Sequence, residues 1–125
     1  MSYNLFLDDI RDPNVFLKSI KTWVIARDYQ EFINIIKERG LPEFVSFDHD
    51  LAFEHYPFND DSPCDEIIPY NDYKEKTGYH CAQFLINYCI ENDKDFPNYK
   101  CHSMNVIGKQ NIISLIESYK KSRLL

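Results

Sequence analysis

The chain has 125 residues, 44% of them hydrophobic and 15% aromatic, with 14 Lys+Arg against 20 Asp+Glu for a formal net charge of −6. That length suits one domain, 1–125, with one real core, and only three Gly and six Pro exclude collagen-like and low-complexity classes. The acidic balance disfavours duplex DNA or RNA binding driven by bulk charge, and leaves room for a local basic pocket.

No apolar run reaches the ~18–20 residues of a membrane helix. The opening MSYNLFLDDIRD lacks the basic region of a signal peptide. A cytoplasmic setting with no membrane partner is the expectation. Cys64, Cys81, Cys89 and Cys101 are scattered with no CxxC pair. They read as reduced thiols rather than two disulfides.

In chain order, residues 4–7 (NLFL) read as a buried strand ending at Asp8. Residues 12–19 carry a weaker pattern, a short helix or an irregular crossover. Residues 21–26 (KTWVIA) form a second strand, rich in β-branched and aromatic side chains. Asp28 is a helix N-cap with Glu31 completing a capping box. Tyr29, Phe32, Ile33 and Ile36 then share one helix face, which Gly40 and Pro42 bring to an end. Residues 43–47 (EFVSF) form the third strand and run into Asp48-His49-Asp50. Residues 51–76 have no periodicity and carry Asp60, Asp61, Asp65 and Glu66. So long an aperiodic stretch reads as a lid, a binding loop or an insert. Thr77 caps a helix with Ala82, Leu85, Ile86 and Cys89 inward. Residues 99–103 (YKCHS) give a short fourth strand. Asn105 caps a last helix with Ile112, Leu115, Ile116 and Tyr119 inward. Strands alternating with helices predict an α/β fold: a small parallel four-stranded sheet in a three-layer α/β/α sandwich with right-handed crossovers.

The polar residues gather at strand ends. Asp8 and Asp9 follow the first strand, Asp48, His49 and Asp50 the third, and His102 and Ser103 close the fourth. In an open parallel sheet these ends share one rim, and ligands bind there, where strand order switches. Carboxylates brought together repel, and burying them unpaired is costly. A divalent cation relieves that cost. Oxygen-only ligands from Asp8, Asp9, Asp48 and Asp50 favour Mg²⁺, Mn²⁺ or Ca²⁺ over Zn²⁺, and Mg²⁺ ordinarily adds phosphate oxygens. His49 and His102 offer acid–base chemistry near neutral pH. Ser103 and the N-terminus of the last helix offer donors to a phosphate. Arg11 either binds that anion or neutralises the acid pair, and Lys109 either reaches the phosphate or is solvated. Each residue has an ordinary alternative: an Asp after a strand caps a turn, His49 can simply pair with its acidic neighbours, and His102 can serve a turn. His55 and His80 read as surface residues. The coincidence of the Asp8-Asp9 pair with Asp48 and Asp50 on one rim is what favours a site.

Taken together, LFLDDIRDP, then W and AR-D-Y-xx-F, then SFDHDL, TGYHCAQFL and HSMNxxGxxNI form a specific combination. It resembles the cyclic-phosphate processing receiver-like domains, a divergent branch of the receiver fold of two-component signalling. The resemblance runs over nearly the whole chain apart from the loop near 57–71. It implies a receiver-like, flavodoxin-type sheet, with an acidic pocket from Asp8, Asp9, Asp48 and Asp50 and with His102, Ser103 and Asn105 opposite. It also implies processing or sensing of cyclic phosphates on RNA ends or nucleotides. Ordinary receivers carry a fifth strand ending in a Lys at the phosphoryl group. This sequence shows no such strand, which argues against simple phosphorelay and makes Asp48 a metal ligand or nucleophile. The DxD spacing of Asp48-His49-Asp50 also resembles haloacid-dehalogenase-like phosphatases, without a convincing Lys motif to follow.

Two functions are therefore expected. One is Mg²⁺- or Mn²⁺-dependent hydrolysis or phosphoryl transfer at a cyclic or terminal phosphate. There Asp48, His49 and His102 are catalytic, and Ser103, Asn105, Arg11 and Lys109 hold the phosphate. The other is a non-catalytic module that binds a phosphate-containing small molecule, an RNA end or a partner protein. A degenerate receiver serving only as a dimerising domain is a third possibility.

Overall fold

The computed structural model describes residues 3–11, 23–51 and 76–124. The expected crossover over 12–19, residues 52–75 of the predicted loop, His55 and Cys64 lie outside the described residues. Four short strands, β1 (Asn4–Leu7), β2 (Trp23–Ala26), β3 (Phe44–Phe47) and β4 (Asn98–Cys101), form one sheet in the order β2-β1-β3-β4. Every pairing is parallel, and Leu7, Ala26, Phe47 and Cys101 lie on one rung. The chain steps from β1 to β2 on one side and returns to β3 on the other. The switch point therefore falls between β1 and β3.

Among the described residues the helices are α1 (Tyr29–Arg39), α2 (Gly78–Asn92) and α3 (Val106–Arg123). Their starts are where the capping chemistry puts them. The Asp28 side chain accepts from Glu31 N at 2.8 Å, Thr77 accepts from Tyr79 N, and Asn105 accepts from Gly108 N at 2.9 Å. Two details differ from expectation. The Glu31 carboxylate takes the Arg27 N–H at 2.7 Å, one residue before the cap, instead of the cap's own N–H. His80, expected on the surface, closes a capping box instead, its Nδ1 accepting from Thr77 N at 2.9 Å.

Alternation along each strand sends successive side chains to opposite faces. Leu5, Leu7, Ala26, Val45, Phe47 and Cys101 all have the same parity, and all join one core with Phe32 and Ile36 of α1, Leu85 and Cys89 of α2, and Ile112 and Ile116 of α3. The described helices thus pack against one face, burying the apolar stripes that define them. The other parity places Phe6, Ile25 and Ser46 side by side on the second face, with Phe6 and Ser46 fully buried. Trp23 meets Phe6 and Phe44 edge-on at 5.8 and 6.0 Å between centroids. The second helical layer expected from the sequence would rest on this face. Residues that could supply it fall outside those described. The parallel four-stranded sheet with its helices is a receiver/flavodoxin-like α/β fold. Cys81, Cys89 and Cys101 are buried free thiols.

Candidate functional site

The register builds the site. The parallel ladder continues one residue beyond the strands: Asp8 N donates to Ala26 O at 3.1 Å, Asp48 N to Leu7 O at 2.9 Å and His102 N to Phe47 O at 2.9 Å. Asp8, Asp48 and His102 therefore occupy equivalent positions on three adjacent strand ends. They share the parity of Phe6 and Ser46, so all three belong to the second face. Ligand atoms of these three side chains lie within 4.8 Å of one another. This is the convergence expected at the rim, with His102 inside it. Among the described residues, Asp9 and Asp50 are not part of that cluster.

Asp8 is fully buried and surrounded by donors. Its Oδ1 accepts from Ile10 N at 3.0 Å and Arg11 N at 2.9 Å. Its Oδ2 meets His102 Nε2 at 2.9 Å and Arg11 Nη1 at 3.4 Å. Burial raises the Asp8 pKa, but the bonds from His102 and the two backbone amides outweigh it and hold the carboxyl at about 2. The Arg11 guanidinium pairs with Asp8 in this structure. Arg27, which composition and spacing did not single out, ties this loop down by donating to Asp8 O at 3.2 Å and Arg11 O at 2.7 Å.

Asp48 is in the opposite condition. Burial, then the like charges of Asp8 and Asp50, push its carboxyl up to about 7, against a smaller pull from the Ser103 hydroxyl. Its Oδ1 accepts from its neighbour's amide, His49 N, at 2.9 Å. A buried carboxyl whose ionised form is disfavoured by a second carboxylate is a seat for compensating positive charge. Two carboxylates with an imidazole next to them suit a divalent cation, and the oxygen donors favour a hard one.

His102 lies between the two faces of this problem. Its ring stacks on Phe6 at 4.6 Å and 4°. Nδ1 meets Ser46 Oγ at 2.7 Å and Nε2 meets Asp8. Burial lowers its pKa, with Asp8 opposing, so the neutral ring is favoured. Ser46 was not singled out in the sequence. The available signal was a hydroxyl in the middle of an otherwise apolar buried strand, EFVSF.

His49 and Asp50 turn elsewhere. His49 shares the parity of Phe47 and faces the helices. Its Nδ1 meets Asp50 Oδ1 at 2.7 Å, and Asn105 Nδ2 donates to the same oxygen at 3.0 Å. Asn105 thus uses its oxygen on the helix cap and its amide on Asp50. The imidazole lies so close to α3 that a Cβ on Gly108 would sit 2.3 Å from His49 Cγ. A Cβ on Gly78 would likewise fall 1.8 Å from Asp48 O, so α2 starts directly on the Asp48–His49 backbone, held by Gly78 N to His49 O at 2.8 Å. Ser103 Oγ accepts from Asn105 N at 3.1 Å. Lys109 sits in the first turn of α3, partly buried.

The family described as Cyclic-phosphate processing Receiver domain matches residues 3–118. The chain belongs to this family. No curated protein and no solved structure gives a significant match. A cyclic-phosphate processing receiver domain is thus associated here with a buried carboxylate cluster at the switch point of its sheet. None of the helices among the described residues is long and apolar enough to cross a membrane.

Proposed function

We propose that this receiver domain processes a cyclic or terminal phosphate on a nucleotide or RNA end, by hydrolysis or phosphoryl transfer, with Mg²⁺ or Mn²⁺ as cofactor. The observation that carries the reading is Asp48: a buried carboxyl raised to about 7 beside the ionised Asp8, on the rim where α/β folds bind ligands. Asp8 and Asp48 would hold the cation, with Asp9 and Asp50 close by in sequence. When bound, such an ion polarises a phosphoryl oxygen and neutralises charge that develops on it. Asp48 would bind the cation as the carboxylate, since a positive charge beside it favours the ionised form. His102 orients Asp8 through Nε2. The Ser103 hydroxyl and the amides opening α3 can donate to phosphate oxygens, and Lys109 lies one turn in. Arg11, with its side chain 29% exposed, can turn from Asp8 toward an anion. His49 and Asn105 are committed to Asp50 and support the arrangement from below.

The test is turnover of a panel of 2′,3′-cyclic nucleotides and terminal phosphates with Mg²⁺ or Mn²⁺. Product release that Asp48→Asn abolishes supports the proposal. A folded protein that releases nothing across the panel removes it. A second reading, a non-catalytic module, draws support from Asp8, whose two oxygens already accept from four donors. Calorimetry separates the readings: phosphate-ligand binding without product supports the module.

A further inference from the structure

Ser46 sits one rung below the rim, its Oγ on the second face next to Phe6 and beneath His102. The residue is fully buried and its backbone is fixed by parallel pairing on both sides. A hydroxyl has one hydrogen and can donate or accept, whereas each nitrogen of a neutral imidazole does only one of these. Asp8 decides which. Its carboxylate accepts from Ile10 N, Arg11 N and Arg11 Nη1, a donor set that suits an ionised, acceptor-only group. The imidazole nitrogen facing it at 2.9 Å must therefore carry a hydrogen. In the neutral ring Nδ1 is then the acceptor, and the hydroxyl 2.7 Å away is the donor. Phe6, parallel to the ring at 4.6 Å, sets its plane, and the contacts at Nδ1 and Nε2 set which way round it lies.

We infer that Ser46 is a positioning residue: its hydroxyl donates to His102 Nδ1, fixing the ring as the Nε2–H tautomer and so aiming an N–H at Asp8. The relay runs Ser46 Oγ–H to His102 Nδ1, then His102 Nε2–H to Asp8 Oδ2. It links the rigid middle of β3 to the carboxylate on β1. His102 is the outer partner that orients the ligating Asp8, a contact whose loss typically changes metal affinity by about 10–100-fold, and Ser46 acts through it. The inference rests on the reading of Asp8 as part of the cation seat. The tautomer itself is a property of the chain without cation or substrate.

The test is nitrogen-15 NMR of the His102 ring at pH 8 in metal-free protein. The expected pattern is a protonated Nε2 with an unprotonated, hydrogen-bonded Nδ1. Ser46→Ala should yield a tautomer mixture and bind Mn²⁺ about ten-fold more weakly. Ser46→Thr, which keeps the hydroxyl, should restore the native pattern. A protonated Nδ1 in the native protein overturns the inference, as does an unchanged tautomer in folded Ser46→Ala. If neither variant folds, the native spectrum alone decides. Failure of the tautomer assignment leaves phosphate turnover untouched, and absent turnover leaves the tautomer untouched.

Discussion

Two carboxylates a few ångströms apart have opposite electrostatics: burial raises both, and at Asp8 alone do enough donors outweigh it. Asp8 and Asp48 are both buried. Asp8 receives two backbone amides, an imidazole N–H and a guanidinium, and is held at about 2. Asp48 receives the His49 amide and the Ser103 hydroxyl, meets the charges of Asp8 and Asp50, and rises to about 7. Substitutions by Asn should therefore act in opposite directions. Asp8→Asn keeps an acceptor for the two amides but turns an NH₂ toward His102 and Arg11. Leaving buried donors unmatched should destabilise the fold by roughly 2–4 kcal/mol. Denaturant melts at pH 7 check this, and a midpoint equal to the native one would contradict it. The sign with pH follows. A carboxyl depressed in the folded state stabilises above its unfolded value of 3.8. That contribution is lost as pH falls through about 2, so the gap between native and Asp8→Asn should close in acid.

Between residue and domain, the elements set which side chains can meet. His49 fills the space that Gly108 leaves on α3, and Asn105 bonds Asp50 while capping the same helix. The end of β3 and the start of α3 are thereby locked together under the site. Gly108→Ala should lower stability by roughly 1–3 kcal/mol from overpacking, although Ala favours a helix by about 1 kcal/mol over Gly. A urea midpoint that rises instead would show that the ring can move aside. Much of this architecture was legible beforehand. The four strands announce themselves as short apolar runs, and Asp28, Thr77 and Asn105 are caps whose chemistry is local. The rim was legible because parallel strands put all their carboxyl ends together. Facing was harder to read. His49 and Asp50 adjoin Asp48 in sequence, yet alternation turns His49 toward α3, and bonds to His49 and Asn105 hold Asp50 there against the alternation. Ser46 and Arg27 were missed because their partners are 56 and 19 residues away. Only the register shows that those distances close.

At the scale of the whole molecule, the cluster makes folding, pH and cation binding a single linked equilibrium. Asp48 binds its proton more tightly folded than unfolded, its value rising from 3.8 to about 7. Between those values the folded state holds more protons at this position, so its contribution to stability falls as pH rises and levels off above about 7. His102 acts in the other direction, since a depressed imidazole stabilises the fold above its unfolded value of 6.5 and loses that contribution as pH falls. The raw pH profile therefore mixes the two, and the difference between the native chain and Asp48→Asn isolates the carboxyl. In EDTA, Asp48→Asn should match the native protein near pH 4 and exceed it at pH 8, by up to a few kcal/mol. Added Mg²⁺ or Mn²⁺ should reverse the order at pH 8, because an ion that binds only the folded chain stabilises it by mass action. It should raise the native melting temperature and leave Asp48→Asn little changed. Equal melting temperatures for the two proteins at pH 8 in EDTA would mean that Asp48 carries no ionisation penalty. An equal response of both to Mn²⁺ would place the cation away from this carboxyl. The net charge of −6 attracts cations to the whole surface, but that attraction is screened within about 10 Å at 0.1 M salt. Repeating the melts in 0.1 M KCl therefore keeps the local seat and suppresses the general field.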